Sequence, residues 1–138
     1  MTHEHRTPPI PQAQAFVVCQ NIWVVPRTND YVLIGPISHI PIPQFPAQVT
    51  VAVYAHVTGG HGNYPMEFVL RAASGEVVWS WNPIDPLTQP NPLVPAQLAF
   101  YEVLLEMPGP GRYDLALNVS GQEMCRQPLL IGPSEYFA

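Results

Sequence analysis

The segment "QVTVAVYAHV", Gln48 to Val57, decides the fold. Val49, Val51, Val53, Ala55 and Val57 alternate with Thr50, Ala52, Tyr54 and His56. An extended chain sends successive side chains to opposite faces, so this period of two marks a strand with one face on a core. Downstream, "YPMEFVLRAA" sets Met66, Phe68 and Leu70 against Glu67, Val69 and Arg71 in the same rhythm. The stretch between them, "HVTGGHGNY" from His56 to Tyr64, reads as a hairpin tip whose glycines supply positive φ.

The pattern continues in both directions. "AFVVCQNIWVV" from Ala15 and "YVLIG" from Tyr31 are β-branched and aromatic. "ISHIPIPQFP" is extended but broken by proline, which suits an edge or a loop crossing. Ser74-Gly75 turns the chain into "EVVWSW", where Val77, Trp79 and Trp81 fall on one face. Five prolines between Asn82 and Pro95 rule out a helix or a central strand, leaving a long surface crossing. In "AQLAFYEVLLEM" the alternation of Leu98 and Phe100 changes phase at Val103 and Leu105, which places a bulge near Tyr101. Tyr113, Leu115, Leu117 and Val119 share a face, and Ser120-Gly121 turns into the closing strand "QEMCRQPLLIG".

About seven to nine short strands with regular turns predict an all-β protein, a single antiparallel β-sandwich without substantial helix. The expected divisions are a Pro-rich arm over 1–13, the sandwich over 14–133 and a short tail over 134–138.

Composition sets limits on function. Hydrophobic residues make up 47% of the 138, enough for a packed core despite 18 prolines. Charged residues are only 11%, less than half the usual share, and the net charge is −5. Five basic residues cannot build the cationic face that a nucleic acid needs. The apolar runs are too short for a membrane span, and "MTHEHRTPPIPQ" has no apolar signal core, so the expected location is the cytoplasm. Cys19 and Cys125 are then expected as reduced thiols. A surface so poor in charge suits a protein partly covered by copies of itself or by a partner.

The stretch "EMPGPGRYDLALNVSGQEM" resembles the last hairpin of immunoglobulin-like domains. There a Pro-Gly step leads to a strand-start tyrosine whose hydroxyl bonds to nearby backbone, and Tyr113 stands in the matching place after Gly111, with Gly121 at the turn. The two cysteines lie too far apart in sequence for the antibody pattern. In order, "AFVVCQNI", "YVLIGPISHI", "PIPQFPAQVTVAVYAHV", "SGEVVWS" and "PGRYDLALNVSGQEM" are similar to the DUF6941 family of small bacterial proteins, over roughly residues 13–132. That resemblance implies a β-sandwich and brings no catalytic residues with it.

Candidate chemistry is sparse. His56 and His61 could converge, yet zinc wants about four ligands, and His39 is the nearest further candidate. "GGHG" lacks the Lys-Ser/Thr ending of a phosphate-binding loop. Cys19 and Cys125 lie inside strand patterns as small hydrophobes, and no G-x-S-x-G elbow occurs. Trp79 and Trp81 either fill the core or present a stacking surface. The expectation is a non-catalytic structural or protein-interaction subunit, self-associating or part of a larger assembly. It is expected to use no cofactor, metal, nucleic acid or small-molecule ligand. The candidate contact residues are His56, His61, Trp79 and Trp81. The competing reading is a carbohydrate-type binding module that uses exposed aromatics.

Overall fold

A computed structural model describes residues 10–137. Eleven strands are present among them: β1 Gln12–Val24, β2 Tyr31–Pro36, β3 His39–Pro41, β4 Ala47–Thr58, β5 Gly62–Tyr64, β6 Met66–Ala72, β7 Val77–Trp81, β8 Leu87–Gln89, β9 Ala96–Met107, β10 Gly111–Val119 and β11 Gln122–Gly132. A 3-10 turn, Ser134–Phe137, follows. The excess over the expected strand count is due to β3, β5 and β8. Each is three residues long and lies in a stretch punctuated by proline or glycine, where periodicity gives no signal. Strand β1 begins at Gln12, inside the expected arm; residues 1–9 of that arm lie outside the described residues.

The strands form two packed sheets, ordered β2-β1-β4-β9 and β3-β11-β10-β6-β7, with a separate β5-β8 pair. Pairing is antiparallel except for β3, which lies parallel to β11. Strands β1, β4 and β9 take the places of A, B and E in an immunoglobulin-like sandwich, and β6, β10 and β11 those of C, F and G.

Val51, Val53, Ala55 and Val57 of β4 are buried against Phe68 and Leu70 of β6 and Leu115 and Leu117 of β10, as their alternation requires. The bulge in β9 is present: Val51 opposes Val103 and Val53 opposes Phe100, so Tyr101 and Glu102 together face Ala52. At Ser120-Gly121 both residues have positive φ, 50° and 78°, the geometry of a two-residue hairpin turn whose twist matches its strands. Tyr113 donates its hydroxyl hydrogen to the Gly109 carbonyl at 2.7 Å, bracing the corner at which β9 passes to the other sheet.

The stretch from His56 to Tyr64 is not a hairpin tip. Strands β4 and β6 belong to different sheets, so this segment crosses the end of the sandwich and carries β5 on the way. Period-two patterning gives each strand a face but does not choose its neighbour. The proline-rich crossing from 82 to 95 is likewise more than surface. Its β8 pairs with β5, and Leu87 and Gln89 are buried. Gln89 accepts the Gly60 N–H at 2.9 Å and donates to the Val94 carbonyl at 3.0 Å, joining both crossings. A Cβ on Gly60 would stand 2.4 Å from Gln89 Oε1 and 2.8 Å from Pro11, so only glycine permits this approach.

A second clamp joins the sheets. The Gln127 side chain on β11 accepts the Val18 N–H of β1 at 3.0 Å and donates to the Ile37 carbonyl beyond β2.

Candidate interaction surface

The four contact candidates do not converge. His56 is half-buried on the outer face of β4, in register with Ala15 of β1 and Gln97 of β9. His61 is exposed in the crossover, where its backbone N–H donates to Tyr64 Oη at 2.8 Å. Among the described residues no group of three His, Cys, Asp or Glu side chains is placed to hold a metal ion.

Trp79 and Trp81 lie opposite Leu70 and Phe68, on the inner face of β7. Trp81 stacks on Phe68 with ring centres 5.8 Å apart and meets the edge of Phe100 at 6.2 Å. Phe68 and Phe100 are themselves edge to face at 4.9 Å. The indoles thus close the open side of the core, with Trp81 still 39% exposed at its margin. Val77 does not share their face: a register shift between Leu70 and Arg71 sets Val77 opposite Arg71, where it is exposed, and turns Val78 inward. A one-residue irregularity of this kind inverts every side chain beyond it.

Two surface features stand out that were not identified from the sequence. The first is the outer face of the four-stranded sheet. Strands β1, β2 and β4 contain no Asp, Glu, Lys or Arg at all. On this face Cys19, Ile22 and Ala52 form a second buried cluster, flanked by half-buried Val17, Tyr31, Leu33, Tyr54 and Ala99. The Tyr31 and Tyr54 rings meet at 5.7 Å, and Tyr54 donates to Gln97 Oε1 at 2.6 Å. Burial, with a smaller contribution from Tyr31, raises the Tyr54 pKa. At the free end of the β1–β2 hairpin Trp23 is 61% exposed, beside exposed Val24, Val25 and Val32. The signal was there to read in the uncharged alternate positions of three strands, but their adjacency is a tertiary fact.

The second feature is the seam between edge strands β7 and β9, which approach each other from opposite sheets. Hollows lie along it. One lies between Leu98, Phe100 and Trp81, with Asp85 on its rim. The next lies between Trp79, Val103 and Leu104, with Glu102. The last, about 560 Å³, lies between Ala47, Val78 and Met107, with Glu106. Among the described residues no basic side chain lines any of them.

The cysteines are free thiols on different sheets, Cys19 on β1 and Cys125 on β11. Burial pushes the Cys125 thiol up to about 12, helped by the carboxylate of Glu123. Burial likewise raises Cys19, against the opposing effect of backbone hydrogen bonds from Asn21 and Ile34. Nucleophilic cysteines need the reverse shift, toward thiolate. No helix among the described residues is long and apolar enough to cross a membrane. Neither a known protein family nor a curated protein matches the chain.

Proposed function

We propose that this protein is a non-catalytic interaction subunit that associates with copies of itself or takes a place in a larger assembly. Kinship with the DUF6941 family is part of the same proposal. The observation that carries it is the charge-free outer face of β1, β2 and β4, continuous with the apolar end of the β1–β2 hairpin. Monomeric proteins keep exposed apolar patches small and intersperse charge, so a four-stranded face with no ion on three adjacent strands suits burial against another protein. Its tyrosines fit the same role, since aromatic residues are enriched in interface cores.

The test is light scattering coupled to size-exclusion chromatography over a wide concentration range. The expected result is a mass above that of one chain, which falls on Leu33→Lys or Tyr54→Glu while the circular dichroism of the chain is kept. A single-chain mass at every concentration, together with no partner that depends on Leu33 and Tyr54, contradicts the proposal.

A further inference from the structure

The geometry points to the free edge of β9 as an acceptor for one more strand, an extended segment from a different protein that alternates apolar and basic residues. This deepens the interaction reading and rests on it, but concerns a different surface.

Three observations lead there. In a constant-type immunoglobulin sandwich the E strand is flanked by a D strand in the same sheet. Here β9 holds the place of E and is the last strand of its sheet, because the chain from 82 to 95 goes to pair with β5 instead. One long side of a twelve-residue strand is therefore without a backbone partner among the described residues. Edges are blunted by lysine, proline, charge or bulges; β9 has neither lysine nor proline, and its bulge at Tyr101 and Glu102 leaves straight runs over 96–100 and 103–107 on either side of it. Such an edge hydrogen-bonds to another extended backbone, the geometry of strand addition.

Beside that edge runs the seam with its aromatic and aliphatic hollows. Alternate side chains of an added strand point toward it. Trp81 and Leu104, which line these hollows, are 39% and 45% exposed.

The charges select the occupant. Among the described residues each hollow has one carboxylate on its wall, Asp85, Glu102 or Glu106, and no cation. Glu102 and Glu106 are separated by about 13 Å at the usual strand rise of about 3.3 Å per residue. Lysine or arginine at the same spacing on an incoming strand would meet both. A second copy of β9 would instead bring carboxylates beside carboxylates, which destabilises cross-strand pairs.

The probe is a capped peptide alternating valine with lysine and threonine, its lysines spaced as Glu102 and Glu106 are, with a twin carrying glutamate for lysine. Isothermal titration calorimetry on the full chain is expected to show the basic peptide binding at least tenfold more tightly than the acidic twin. Glu102→Gln with Glu106→Gln, two exposed positions, should weaken it roughly tenfold, and added salt should do the same. Hydrogen exchange should slow at β9 amides on saturation, and not at β2. Four outcomes overturn the inference: no binding at millimolar peptide, equal binding of the twin, protection away from β9, or protection of β9 that grows with protein concentration alone. Because Leu33 on β2 is separated from β9 by β1 and β4, association that depends on Leu33 and persists in these variants leaves the broader interaction reading standing.

Discussion

Replacing Gln89 with leucine tests how the two crossings are held at the end of the sandwich. Gln89 is 1% exposed and is the buried polar side chain of the core region. Leucine keeps the bulk and removes both hydrogen bonds. The Gly60 N–H is itself buried and loses its acceptor, which costs about 1–3 kcal/mol. Val94 is exposed, so its carbonyl can turn to water, and that loss is about 1 kcal/mol or less. The sum is about 1–4 kcal/mol. A chain of this size loses roughly 3–4 °C in melting temperature per kcal/mol, so thermal unfolding followed by circular dichroism should shift down by roughly 3–16 °C. Gln89→Glu gives a second signature. An ionised carboxylate still accepts from Gly60 but cannot donate to Val94, so this variant should be destabilised at neutral pH. A buried carboxyl has a folded pKa above its unfolded value of about 4.3, so its missing stability should return as pH falls through the folded value toward the unfolded one. Gln89→Leu within about 1 °C of the parent, or Gln89→Glu with no pH-dependent recovery, refutes the reasoning.

Further outcomes follow from other contacts. Gly60→Ala forces a Cβ into Gln89 and Pro11 and should cost at least as much as Gln89→Leu, with little additivity in the double variant, because both break the same junction. Tyr113→Phe removes only the hydroxyl that bonds Gly109 and should lower the urea-derived stability by about 1 kcal/mol with an unchanged m-value. Cys125 has its folded pKa raised to about 12, so its contribution is intact below the unfolded value of about 8.5 and is lost as pH rises from there toward 12. The parent should lose stability across that window by at most about 1.4 kcal/mol per pH unit, less for the solvent that reaches the thiol. Cys125→Ala should flatten that slope in denaturant titrations at increasing pH.

The all-β class was legible because its signal is local. Val51 to Val57 alternate over enough residues to exclude another reading, and Ser74-Gly75 and Ser120-Gly121 turn the chain where their backbones allow it. The phase change in β9 was legible for the same reason. The position of Tyr113 was also readable, since its partner Gly109 is four residues away. The contact candidates show the opposite case. His56 and His61 are close in sequence, but one lies on a sheet face and the other in a crossover. Trp79 and Trp81 turn inward with Phe68, while Val77 is set outward by an irregularity that no periodicity reports.

The amino-acid sequence by itself determined that this chain is made of strands, which faces most of them bury, where the tight turns fall and that the surface is poor in charge. Those properties depend on side-chain identity and on backbone preferences within a few residues. Tertiary structure alone decided that β4 and β6 lie in different sheets, that three uncharged strands stand side by side, and that β9 ends its sheet beside a seam lined with carboxylates. Strand pairing is set by backbone hydrogen bonds that are the same for every residue, so a strand's own pattern names its faces and leaves its neighbours to the fold.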